Sequence, residues 1–177
     1  IGIIPSGTGN DVAKHIGIQG PLDGARRIVT GRTSPFDVMQ VETNDQVDYC
    51  ITLVGWAGVA DINRSAERLR VLGSPRYAVA AVWKMLFPKR YLARLVLDHQ
   101  SYEGSFLLVA ACNTMFTGSG MRLAPRARTD DGKVDVVIVR NASRWEMLRL
   151  FASVFNGSHT DMPCVEYYQA RSMSILA

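Results

Sequence analysis

Ile1-Gly2-Ile3-Ile4-Pro5-Ser6-Gly7-Thr8-Gly9-Asn10-Asp11 is an apolar run, then a turn rich in Pro and Gly, then two residues able to cap a helix. That order predicts a strand, a glycine-rich loop and a helix running toward His15, which is half of a βαβ unit. A second helix is expected over residues 22–29, where Leu22, Ala25, Ile28 and Val29 recur at helical spacing, with Gly31 as its stop.

From Ser34 onward the pattern turns to β. Strands are expected over residues 36–41, 48–54, 91–98, 104–112 and 133–140, many β-branched and bounded by Gly, Asn or Asp. Helices interrupt them at 60–72 and 76–87, separated by Gly73-Ser74-Pro75. The second of these carries Tyr77, Ala80, Ala81, Trp83 and Leu86, read as a face packed on the sheet. A helix over 143–155 opens with the capping box Ser143/Glu146 and ends in a turn at Asn156-Gly157; one closing strand follows over 164–177. The fold class is therefore α+β, mostly β, with no internal repeat.

The chain has 177 residues, 47% of them hydrophobic and 20% charged, enough for one good core. It lacks an initiator Met and any signal-peptide pattern, so it is expected to be cut from something longer. No apolar stretch reaches the roughly 18–20 residues that span a bilayer, so membrane contact would be peripheral; the scattered cysteines suggest a reducing compartment, and the expected location is cytoplasmic. Cys50, Cys112 and Cys164 form no CxxC pair and read as buried structural thiols. His15, His99 and His159 are scattered and read as surface or capping residues.

A net charge of +4 and a pI near 9.2 admit nucleic acid, an anionic membrane or a polyphosphate as partner. The basic residues, Arg64, Arg68, Arg70 and Arg76, then Lys84, Lys89, Arg90 and Arg94, are interleaved with aliphatic side chains rather than stacking aromatics, which argues against nucleic acid.

Three segments carry chemistry. In the first, Gly7 and Gly9 let backbone N–H groups approach an anion, Thr8 adds a hydroxyl, and Asn10-Asp11 start a helix whose dipole favours negative charge. Asp11 suits a water-held magnesium or the orientation of reacting groups. A plain capped turn is the alternative, since the loop lacks both the P-loop Lys and the third Gly of a dinucleotide fingerprint. In the second, Asn63, Glu67 and Arg70 share a helix face, and Arg70 with Arg76 could fork onto phosphate oxygens; a solvated, ion-paired helix is the alternative. In the third, Asp130-Asp131-Gly132 before a strand is either a hairpin turn or a hard-cation site built from a carboxylate and backbone carbonyls.

Taken in order, these segments resemble the diacylglycerol kinase and sphingosine kinase superfamily of lipid kinases over nearly the whole chain. Pro5 to Asp11 with Val12-Ala13 looks like its second nucleotide motif. Phe36-Asp37-Val38 resembles the strand entering its second domain, and Ala124-Pro125 through Asp135 its Asp-Asp-Gly turn. Trp56 to Ile62 with Glu67, Arg70, Leu72-Gly73 and Arg76-Tyr77 look like sphingosine and ceramide kinases, whereas Asn10-Asp11, Asn113 and Gly118-Ser119-Gly120-Met121 lean to bacterial diacylglycerol kinases.

The resemblance implies a β-sandwich-like lipid-binding domain over 34–177, preceded over 1–33 by the last strand-loop-helix of an α/β nucleotide-binding domain. It implies ATP and Mg²⁺, with Gly7, Thr8, Gly9, Asn10, Glu67, Arg70 and Arg76 on the nucleotide and Asp11 in a supporting catalytic role. Asp61 and Asn63 would meet the lipid substrate. Asp131, with the carbonyls of Arg128 and Lys133, would hold a structural Mg²⁺. Asn63 stands where sphingosine kinases place an Asp, which leaves sphingoid base, ceramide and diacylglycerol open as acceptors. The family's Gly-Gly-Asp-Gly-Thr motif, whose Asp is taken as the general base, does not occur in this sequence, so the chain alone is expected to be inactive. A peripheral membrane contact and a homodimer are further expectations. The alternatives are a soluble kinase of the NAD or sugar kinase type and a non-catalytic lipid-binding fragment.

Overall fold

Leu108-Val109-Ala110-Ala111-Cys112 is buried at every residue, and Val134–Val139 at every residue but the first. Strands apolar along their whole length need cover on both faces, and the architecture supplies it. The structure, a computed structural model, describes residues 1–7, 9–44, 46–68, 76–118 and 120–177, apart from the side chains of Ala66 and of residues 76–78.

In chain order these residues form α1 (Asp11–His15), α2 (Pro21–Thr30), the hairpin β1 (Met39–Thr43) and β2 (Gln46–Cys50), β3 (Leu53–Ala57), α3 (Gly58–Arg68) and α4 (Arg76–Leu86). Then follow β4 (Tyr91–Leu97), β5 (Gln100–Phe106), β6 (Leu108–Cys112), β7 (Val134–Val139), α5 (Arg144–Ser153), a 3-10 turn at Ser158–Asp161, β8 (Val165–Ala170) and β9 (Met173–Leu176).

An antiparallel sheet of order β3-β6-β7-β8 is the central layer. One face packs on the sheet β5-β4-β9, burying Leu95, Leu97, Phe106, Val109, Val136 and Ile138 between the two. The other face carries Leu108, Ala110, Val137 and Val139 against Ala81 and Met85 of α4, Met147 and Leu150 of α5, and Val154 just after it. The result is α+β with a sandwich at its centre, as expected. The capping box forms as the sequence predicts: Ser143 N donates to Glu146 Oε2 at 2.8 Å, and Glu146 N to Ser143 Oγ at 3.3 Å. Helix α2 also ends as read, on Gly31 at φ 67°.

Several boundaries differ from expectation, mostly for one reason. Periodicity marks an apolar run as a strand but does not show where the chain changes sheet. The run 104–112 breaks at Leu107, whose carbonyl accepts Gly58 N at 2.9 Å and whose N–H donates to Val139 at 2.9 Å; β5 and β6 lie in opposite layers. The closing run breaks at Arg171-Ser172, whose two amides both donate to Asp98 Oδ1 at 2.9 Å, so β8 and β9 also lie in opposite layers. The run 48–54 divides into β2 and β3, and the strand expected at 36 begins at Met39.

Residues 1–4 form no strand. They pack on α2 instead: a Cβ on Gly24 would lie 2.5 Å from the Ile3 carbonyl oxygen, so that helix needs a glycine there. Trp83, expected on the packed face of α4, is 61% exposed, because Ala80, Ala81 and Met85 fill that face. His159 is fully buried rather than on the surface. Cys112 and Cys164 are buried and free, while Cys50 is half-buried. Among the described residues no helix is long and apolar enough to cross a membrane.

Candidate active site

The loop before α1 is closed by one side chain. Asn10, at φ 53°, accepts from Gly7 N through Oδ1 at 3.1 Å and donates through Nδ2 to the Gly7 carbonyl at 2.6 Å. Asn10 thus shapes the loop rather than capping α1, which begins at Asp11. The Gly7 backbone does not require glycine: φ lies outside the left-handed range, and an added Cβ would meet only Asn10 Oδ1, at 3.5 Å. Its lack of a side chain leaves room for something that approaches the loop, as a phosphate would. Gly9 belongs to the same loop; Thr8 lies outside the described residues.

Helix α1 is tied down at its far end. Met115 N donates to His15 Nδ1 at 3.0 Å, and Arg27 of α2 donates to the Ile16 and Gly17 carbonyls at 3.0 and 2.7 Å. An amide can only donate, so His15 accepts and its imidazole is neutral; burial lowers its pKa to match. The glycine-rich loop is thereby joined to the segment 113–118 that leaves β6. No spacing in the sequence signals this pairing of residues a hundred positions apart.

A second junction centres on Asp37. Its N–H donates to the Thr129 carbonyl at 2.6 Å, its Oδ2 accepts Gly132 N at 2.8 Å, and its carbonyl accepts Asn113 Nδ2 at 2.7 Å. Asn113 Nδ2 also donates to the Ile51 carbonyl at 3.1 Å. Within the turn, Asp131 Oδ1 accepts Lys133 N at 3.0 Å, and Arg128 pairs with Asp130 at 3.3 Å. Arg128, Asp131 and Lys133 therefore share one compact turn. Among the described residues no group of three or more His, Cys, Asp or Glu side chains gathers as a metal site. A cation here would be held by one carboxylate and main-chain carbonyls, a donor set that suits a hard ion.

Below this turn lies a carboxylate the sequence reading passed over. Asp135, on β7, is fully buried, and burial raises its pKa while Tyr167 and Gln169 pull it partly back. Tyr167 also accepts Arg126 N at 3.3 Å and carries the Arg126 guanidinium 4.7 Å over its ring. The signal was available: Asp135 interrupts an apolar strand.

The α3 residues sit on a different support, against β3, β6 and α4. Asp61 accepts the Tyr91 hydroxyl at 2.5 Å and pairs with Arg64 at 3.0 Å, and Tyr91 lies edge-on to Trp56. Its carboxylate is therefore already committed to protein partners. Asn63 and Glu67 are exposed on the same helix. Arg70 and the residues 71–75 lie outside the described residues, as does the side chain of Arg76, whose backbone starts α4. The Arg70/Arg76 fork accordingly stays an expectation from sequence.

Residues 54–177 match the family model described as the YegS C-terminal NAD kinase beta sandwich-like domain, and residues 1–41 match that of the diacylglycerol kinase catalytic domain. The chain belongs to the diacylglycerol kinase superfamily of lipid kinases. It is 29% identical to a diacylglycerol kinase of Mycobacterium tuberculosis over 180 residues, covering 99% of this chain and 58% of the relative. It is 21% identical to sphingosine kinase 1 of Arabidopsis thaliana over 217 residues, covering 97% of this chain and 45% of the relative. A solved structure from Bacillus anthracis shares the fold, with a TM-score of 0.74 at 24% identity, covering 98% of this chain and 57% of the other. The chain thus spans a little over half the length of these bacterial proteins.

Proposed function

We propose that the protein containing this chain transfers the γ-phosphoryl group of ATP to the hydroxyl of a lipid. The observation that carries the reading is the glycine-rich loop and α1, within a match to the diacylglycerol kinase catalytic domain, anchored through His15 and Met115 to a β-sandwich-like domain of the same superfamily. Residues 1–33 are read as the end of the nucleotide domain and 34–177 as the lipid domain; the switch from α1 and α2 to the sheets favours that division.

In this reading the backbone of Gly7, Gly9 and Asn10, with the Thr8 hydroxyl, cradles phosphate oxygens. Asp11, in the first turn of α1, orients the reacting groups, while Glu67, Arg70 and Arg76 hold the nucleotide. Asn63 meets the lipid acceptor, and Asp61, whose carboxylate is held by Tyr91 and Arg64, positions that part of α3 beside it. Magnesium would be held by Asp131 and the carbonyls of Arg128 and Lys133, where it would brace the turn that meets Asp37. No residue of this chain is assigned as the general base.

The acceptor class and the lipid surface on which the enzyme works belong to the same proposal. The test is phosphoryl transfer from labelled ATP by the full-length protein to diacylglycerol, sphingosine and ceramide. Transfer to at least one is expected, and transfer to none overturns the reading. Arg76→Ala in that protein should raise the ATP KM or lower kcat; unchanged values would remove Arg76 from the phosphate site.

A further inference from the structure

The solvent side of α4 is apolar. Val79, Val82, Trp83, Leu86 and Phe87 fall at i, i+3, i+4, i+7 and i+8, a stripe about 140° wide at helical spacing. Trp83 is 61% exposed and Phe87 58%, while Ala80, Ala81 and Met85 bury the opposite face. A helix apolar on both sides is expected only where each side has something to cover it.

The stripe continues onto a second element. The rings of Trp83 and Phe87 meet at 5.1 Å. Phe87 then shares an open groove of about 710 Å³ with Arg90, Arg144 and Trp145, the last 79% exposed. Lys89, Arg90 and Arg144 are exposed beside the aromatics, and Lys84 is half-buried. Glu146, the nearest acid in sequence, is engaged by Ser143 in the capping box.

We propose that this aromatic and cationic face, formed by the end of α4 and the start of α5, docks on an anionic lipid bilayer. Trp and Phe suit the boundary between headgroups and acyl chains, and Lys and Arg are drawn to the negative surface. A second copy of the chain is disfavoured as the occupant, since a two-fold contact through this face would set its cations against their own equivalents. The inference gives the lipid-kinase reading a docking face, and its test needs no turnover.

The experiment is co-sedimentation of the purified chain with phosphatidylcholine vesicles, with and without phosphatidylglycerol, together with quenching of Trp fluorescence by brominated acyl chains. Binding to the anionic vesicles, with Trp83 and Trp145 quenched, is expected. The double variant Trp83→Ala/Phe87→Ala should lose roughly tenfold or more in partitioning. Arg90→Gln and Arg144→Gln should each cost roughly fivefold on anionic vesicles only. Far-UV circular dichroism and the emission of Trp56, which packs against Tyr91 and Phe106, report whether each variant remains folded. Trp145→Ala, at a highly exposed position, repeats the test should the double variant misfold.

Equal binding to neutral vesicles, no binding, or loss of monomer on concentration that Trp83→Ala reverses would each overturn the proposal. Vesicle binding by this chain alongside a full-length protein that phosphorylates no lipid would sink the kinase reading and leave the docking face standing. Lipid phosphorylation without vesicle binding by this face would do the reverse.

Discussion

Asp37 Oδ2 accepts the amide of Gly132 at 2.8 Å across 95 positions of sequence, fixing the entry to the β-rich part of the chain against the Asp-Asp-Gly turn. Gly132 sits at φ 65°, where a side chain would be strained, so the amide is presented by a residue chosen for its backbone. Three backbone or side-chain bonds converge on Asp37, and the turn proposed to hold magnesium takes its position from them.

Asp37→Ala removes the acceptor and keeps the other two bonds. It should cost about 1 kcal/mol of stability, the usual net value of one hydrogen bond, read from the urea midpoint. If the turn is a magnesium site, the variant should also lose the shift in midpoint that magnesium gives the natural chain. A variant that keeps that shift would separate Asp37 from the cation.

Asn113 is 1% exposed and its amide serves two backbone carbonyls, those of Asp37 and Ile51. Asn113→Ala takes the amide away from two part-buried carbonyls and should cost about 1–2 kcal/mol. Asn113→Leu should do no better, because volume is not what the site lacks. Equal stability of the variants and the natural chain in chemical denaturation would contradict the assigned bonds.

Gly7→Ala separates fold from function. The added Cβ finds only Asn10 Oδ1 at 3.5 Å, an ordinary contact, so the melting temperature should not change. In the full-length protein the same methyl group would stand where phosphate approaches, and kcat/KM for ATP should fall on the order of 10²-fold. Normal kinetics would return the loop to the status of a capped turn.

His159 gives the stability of the fold a pH dependence. It is fully buried, its Nε2 lies 3.0 Å from the Leu123 carbonyl, and burial holds its pKa below the ordinary 6.5, against a smaller upward pull from Leu123 and Asp161. A depressed histidine binds its proton more readily when unfolded. Stability should therefore be full above pH 6.5 and fall as the pH drops below it toward the folded value. His159→Gln should flatten that dependence below pH 6.5 while lowering stability at neutral pH. An unaltered slope in the variant would assign the dependence to other groups.

Sequence determined what is local or carried by motif order: α2 with its Gly31 stop, the capping box at Ser143, strands at 91–98 and 133–140, and the family. The local elements depend on residues within a turn or two of one another, where spacing and backbone preference act directly, and the family on the order of the motifs along the chain. The tertiary structure decided where apolar runs change layers at Leu107 and at Arg171-Ser172, because a crossing depends on partners such as Asp98 and Gly58 that lie far away in the chain. It also decided that His15 is an acceptor for Met115, that His159 is buried, that Asp37 is bonded to two distant segments, and that one apolar side of α4 faces solvent. Periodicity reports how many faces of a helix are apolar; what covers them is settled by packing between elements. The glycine-rich loop shows both. Its chemistry is legible in Gly7, Gly9 and Asn10, but its anchorage on the β-rich domain exists only once the chain has folded.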